Sequence, residues 1–185
     1  MSKAGEPRSV DSMEKARLAE LDAQLRRVFG DIPRPLATRS VAESWDDDWS
    51  VTEESAQALT AMDHEQHWWE VTDEELQRSY SMLRWVPPDS FRFYYTAFLS
   101  YTLRWWGAGG DLVVKAAMED IGILSWDHRG RRQRGNLRCF TDAELEFIAE
   151  TLMELWCDAK GGKFSGCALT FTVLEHEQHA RAPAE

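Results

Sequence analysis

The stretch "DSFRFYYTAFLSYTLRWW", residues 89–106, constrains the chain more than any other segment. At helical period it has almost no polar face. A helix apolar around most of its circumference belongs at the centre of a fold, because on the surface one apolar side would lie in water. Phe and Tyr also favour strands. The unbroken run of about sixteen residues is too long for an ordinary strand and argues for a helix. Pro87 and Pro88 in "VPPD" precede it, Asp89 or Ser90 is the candidate cap, and "GAGG" at residues 107–110 ends it. A central helix needs covering elements, and the rest of the chain must supply them.

Those elements announce themselves by their ends. From Ser12 to Phe29, Leu18, Leu21, Leu25 and Val28 recur at steps of three and four, and Gly30 and "DIPRP" stop the helix. Ser50 with Glu53 has the spacing of a capping box, followed by Ala56, Leu59 and Met62. Thr72 with Glu75 is a second box, followed by Leu76, Tyr80 and Leu83. Residues 111–121 form a further helical stretch. Thr141 with Glu144 is a third box, with Phe140 and Leu145 as its hydrophobic staple and Leu145, Ile148, Leu152 and Leu155 as its stripe. The segment from Ser165 alternates like a strand but has no evident strand to pair with, so a helix is expected there. The reading is all-α: six or seven helices in an irregular bundle around the aromatic central helix. It forms a single domain over residues 12–180, with disordered polar tails at 1–11 and 181–185.

The charge is distributed unevenly. From Ser40 to Gln77 there are twelve acidic residues and no Lys or Arg, whereas the whole chain carries −11. The remainder is therefore almost neutral, and the acidic excess belongs to one segment. Trp45, Trp49, Trp68 and Trp69 lie in it, with Asp46, Asp47 and Asp48 between the first two. Such a field repels nucleic acid and attracts cationic surfaces, and adjacent indoles provide apolar contact. Trp45, Asp46, Asp47, Asp48, Trp49, Glu65, Trp68 and Glu70 are the candidate partner-binding residues. The bland alternative is a solvated acidic loop with buried indoles.

Two copies of HEQH hold four of the five histidines: His64 with His67, and His176 with His179. On a helix, a spacing of three places both imidazoles on one face, so these four residues are the candidate metal ligands. The first copy falls at a helix end and the second near the C-terminus, both poor sites for a rigid metal centre. Solvent-facing histidines are the simpler expectation. No nucleophile elbow, phosphate loop or dinucleotide fingerprint is present, so no catalytic residue and no cofactor is expected. Arg129, Arg131, Arg132, Arg134 and Arg138 form a basic loop, a candidate nucleic-acid contact that the acidic field disfavours. Three cysteines without a CxxC pair point to reduced thiols and a cytoplasmic location. No apolar run approaches membrane-spanning length, and the N-terminal residues lack the apolar region of a secretory signal.

"RRVFGDIPRP", "MDHEQHWWEVTDEEL", "VPPDSFRFYYTAFL" and "CFTDAELEFIAETL" resemble, in order and spacing, the landmarks of a bacterial family known as a domain of unknown function. The resemblance extends from about Leu18 to Trp156. It implies a small all-helical fold and brings no reaction or catalytic residue. Thr96 stands where the family pattern has a proline, which implies a straighter central helix. The leading functional reading is a non-enzymatic acidic protein that binds a basic protein, in its most concrete form an immunity protein inhibiting a cognate toxin. The alternatives are a metal-binding enzyme using the HEQH segments and a scaffold or regulator whose Arg loop contacts nucleic acid.

Overall fold

The first helix, α1 (Ser12–Phe29), ends where Gly30 adopts φ 55° and its N–H bonds back to the Arg26 carbonyl. The computed structural model describes residues 12–47, 51–107, 112–119, 121, 125–126, 132–133 and 136–158. Among them are six further α-helices: α2 (Arg39–Asp47), α3 (Glu53–Met62), α4 (Asp73–Arg78), α5 (Pro88–Trp105), α6 (Leu112–Glu119) and α7 (Asp142–Asp158). Short 3-10 turns occupy Trp68–Glu70, Met82–Arg84 and Asn136–Cys139. The fold is all-α. The exception among the described residues is a two-residue antiparallel ladder within the basic region, β1 (Ser125–Trp126) with β2 (Arg132–Gln133), which the sequence pattern did not announce.

The aromatic run is the centre of the molecule. In α5, Ser90, Phe91 and every residue from Phe93 to Leu103 are buried, and α1, α4, α6 and all three 3-10 turns pack on it. Phe91 and Tyr95 stack at 5.4 Å, and both meet Phe140 edge-on, joining α5 to the start of α7. The polar groups of this helix are satisfied inside the protein. Tyr95 donates to the Ala117 carbonyl, Thr102 to Phe98, Ser100 to Asp22 and Thr96 to Arg92. Thr96 thus ties into the helix it belongs to.

Several ends differ from the sequence reading. The start of α5 uses Pro88 at its first position, a place where a missing N–H costs nothing, so neither Asp89 nor Ser90 caps it. Ser90 instead donates to the Ala37 carbonyl at 2.7 Å. Helix α3 is capped by Thr52, whose hydroxyl accepts from the Ser55 N–H, and none of its residues is buried. Met62 is 73% exposed, so the stripe read from Ala56 to Met62 is not a core face. Among the six described side chains of α2, Arg39, Val41 and Ala42 are buried. Val28 is exposed and Phe29 takes its place in the α1 stripe; Tyr80 is exposed because α4 closes at Arg78. The α7 stripe of Leu145, Ile148, Leu152 and Leu155 is fully interior, as read. No helix of the described residues is long and apolar enough to cross a membrane. The expected helix from Ser165, both tails, and His176 and His179 lie outside the described residues.

Candidate functional site

The acidic segment folds inward upon a single guanidinium. Arg39, at the start of α2, is only 7% exposed. Its Nη2 donates to Asp63 Oδ1 and to Glu75 Oε1, both at 2.9 Å, and Nη1 lies 3.7 Å from Glu43 Oε1. Asp63 also accepts from the Ser40 N–H at 2.8 Å and the Ser40 hydroxyl at 2.7 Å, so one carboxylate caps the first turn of α2. Glu43 in turn accepts a short hydrogen bond from Ser79. Beside this group Arg34 holds the carbonyls of Thr60 and Asp63 at 2.9 and 2.6 Å.

Glu65 is wholly buried next to the same cluster. Its Oε1 accepts from the Tyr94 hydroxyl at 2.9 Å, and that hydroxyl accepts from the Arg39 backbone N–H at 2.8 Å. Burial, reinforced by the Glu65 charge, pushes the Tyr94 phenol far above its ordinary range, so it stays a neutral donor. The other oxygen of Glu65, Oε2, has no partner, nor does Arg39 Nε. Glu75 is the third residue of the capping box of α4. Burial raises the Glu75 pKa, but the Thr72 N–H at 2.8 Å, the Thr72 hydroxyl at 2.9 Å and Arg39 outweigh it and hold the carboxyl below its usual range.

The HEQH segment that links Asp63 to the 3-10 turn is not helical, so its histidines do not share a face. His67 Nδ1 meets Asp31 Oδ1 at 2.7 Å and its ring stacks on Trp69 at 4.5 Å. His64 turns the other way, with Nδ1 3.9 Å from Glu75 Oε1. The pairing of His64 with His67 as joint ligands is therefore not what the fold builds. Among the described residues, the one group able to hold a metal ion is His64, Glu65 and Glu75, with one donor atom of each within 4.8 Å of the others.

The adjacent tryptophans have opposite environments. Trp68 is fully buried, donates its indole N–H to the Gly30 carbonyl at 2.9 Å and lies under the Arg26 guanidinium at 5.7 Å. Trp69 is 39% exposed at a cleft of about 370 Å³ that Glu70, Asp73, Glu74 and Arg104 also line. Arg104 is paired with Asp73 at 2.9 Å, Arg26 also lines the cleft and lies 4.0 Å from Asp22, and Glu70 and Glu74 are the further acidic groups there. Backbone N–H groups of Gln66 and His67 bond Glu70 at 2.7 and 3.1 Å and lower its pKa, so it is ionised.

Of the residues expected to meet a partner, Glu65 and Trp68 are interior and cannot touch one. Their burial follows from the hydrogen bonds to Tyr94 and Gly30. Glu70 is exposed, and Trp69 stands where Trp68 was expected. Trp45, Asp46 and Asp47 belong to the end of α2 and their side chains lie outside the described residues, as do Asp48 and Trp49 entirely. In the basic loop, Arg138 is exposed, Arg132 lies in β2, and Arg129, Arg131 and Arg134 lie outside the described residues. No local motif marks Arg39, Asp63 or Tyr94 as members of the cluster. Arg39 and Arg78 are the cations that adjoin the two ends of the twelve-carboxylate segment, and the fold turns Arg39 into the cluster.

Fold and site together define a small all-helical protein whose chemistry is concentrated in a partly buried carboxylate cluster and an acidic, indole-lined cleft beside it. The chain belongs to a family of unknown function, DUF6714, whose model matches residues 17–155. No curated protein matches the chain. No solved structure matches it either.

Proposed function

We propose that the protein is a non-enzymatic binding module that engages a basic protein segment through the cleft beside Trp69. The observation that carries this reading is the exposed Trp69 indole in a cleft that Glu70 and Glu74 also line, in a segment of thirty-eight residues without Lys or Arg. An exposed indole flanked by carboxylates binds cationic side chains by cation–π contact and charge attraction. His67 stacking holds the Trp69 ring in place, so little freedom is lost on binding. In sequence, Asp46, Asp47 and Asp48 add negative charge to the same segment as Glu53 and Glu54, which are exposed on α3, and such charge attracts a basic partner. In its most specific form the partner is a toxin whose basic active cleft this surface occludes, and the protein acts in the cytoplasm as an immunity protein.

Titration of the full chain with a synthetic Lys/Arg-rich peptide, followed by tryptophan fluorescence, tests the reading. Saturable binding is expected, weakened by salt and lost in Trp69→Ala. Glu70→Gln with Glu74→Gln, or the Asn variants of Asp46, Asp47 and Asp48, are expected to slow association and flatten the salt dependence. Salt-independent binding, or binding untouched by Trp69→Ala, refutes it.

A further inference from the structure

We infer that His64, Glu65 and Glu75 form a binding site for a divalent first-row transition metal, zinc or manganese, at the solvent-facing edge of the carboxylate cluster. This stands apart from the partner-binding reading and uses different side chains. Three observations carry it. The donor atoms converge within 4.8 Å, and they come from two elements, the extended segment after α3 and the first turn of α4. Glu65 is fully buried, yet its Oε2 has no hydrogen-bond partner. A desolvated carboxylate oxygen left without a partner is costly, and an unseen cation is one of the few things that removes the cost. Charge is the third observation. Glu43, Asp63, Glu65 and Glu75 gather around Arg39, with Arg34 alongside on backbone carbonyls, so carboxylates outnumber guanidinium groups.

The donor set selects the metal. One imidazole nitrogen with two carboxylates suits zinc or manganese, whereas magnesium and calcium favour shells of oxygen alone. Three protein ligands leave a fourth position for water. The carboxylates are already oriented: Glu65 by the Tyr94 hydroxyl, Glu75 by Thr72 on one oxygen and Arg39 on the other. Glu75 Oε1 keeps a second lone pair after accepting from Arg39. His64 supplies the movement. Metal bonds of about 2.0–2.2 Å need donors closer than the present 3.9 Å between His64 and Glu75, and the His64 side chain is 67% exposed and free to swing inward. Loading the site would fasten the HEQH segment to the start of α4.

The test is calorimetric titration of the chelator-treated full chain, under reducing conditions at neutral pH, with zinc chloride and separately with manganese chloride. One equivalent is expected to bind, with a rise in Tm, while magnesium chloride gives no heat. His64→Ala changes an exposed side chain and leaves the fold intact; it is expected to weaken binding roughly tenfold or more. Glu65→Gln is expected to do the same, and should that variant not fold, His64→Ala decides alone. The double variant His176→Ala with His179→Ala is expected to bind as the parent does. No saturable binding, parental affinity in His64→Ala, or loss of binding in the His176/His179 variant would each overturn the assignment.

Discussion

Two helices of this protein begin with the same four-residue device, and only one of them opens onto a site. Thr72 and Glu75 close α4; Thr141 and Glu144 close α7. Each glutamate accepts from its threonine N–H, at 2.8 and 2.7 Å, and each glutamate N–H donates to its threonine hydroxyl at 3.3 Å. Each glutamate also binds an arginine from another helix. Glu144 takes Arg92 through Nη2 at 2.6 Å and Nε at 3.2 Å, one carboxylate to one guanidinium. Glu75 shares Arg39 with Asp63 and Glu43, and has His64 on its open side. Beside the Arg92–Glu144 pair burial pushes the Cys139 thiol up to about 12 against the pull of Arg92, which disfavours the thiolate. Identical local motifs thus sit in different electrostatic settings, and the surplus of carboxylate around α4 makes the difference.

The comparison breaks most sharply at the two arginines. Arg39→Ala strands several carboxylates in a buried setting and is expected to cost about 3–5 kcal/mol. Arg92→Ala leaves one carboxylate short of its charged partner and is expected to cost about 1.5–3 kcal/mol. Urea denaturation of both variants measures the gap, and equal losses would mean that the clusters are not different in kind. At the caps the two helices should behave alike. Thr72→Ala and Thr141→Ala are each expected to lose about 1 kcal/mol, and a large disparity in their urea midpoints would show that one box is not formed in solution.

The smallest effect is a pH dependence on the α4 side. A carboxyl held below its usual range in the folded protein contributes stability that is fully present above the ordinary carboxylate pKa. That contribution is lost as pH falls through the lower, folded value. Glu75 is such a group. Acid unfolding followed by circular dichroism is expected to be less steep for Glu75→Gln over that interval, and an unchanged acid limb would remove Glu75 from the balance.

Much of the fold was legible because its signals are local. A threonine with a glutamate three residues on produces a box wherever solvent and packing allow, and both boxes formed. The aromatic run was expected to be central, since apolar side chains surround most of its circumference. Short α2 was not legible, because no local capping box starts it: its first turn is capped by Asp63, 23 residues further on. For HEQH the pattern was ambiguous: a spacing of three places two histidines on one face only on a helix, and residues 63–67 are not helical. Neighbours in sequence also parted company, Trp68 going inside to the Gly30 carbonyl and Trp69 staying at the cleft.

By itself the sequence determined the all-α class, the central place of residues 88–105, the helix starts at Thr72 and Thr141, and the concentration of negative charge between residues 40 and 77. These follow from periodicity, capping and composition, which act over a few residues. The tertiary structure alone decided which carboxylates turn inward. Arg39, Asp63, Glu65, Glu75 and Tyr94 lie up to fifty-five positions apart and meet only because α2, α4 and α5 pack together. Burial then sets the value of each charge, because a carboxylate deprived of water must find a proton donor, a guanidinium or a metal ion, and no local pattern states which.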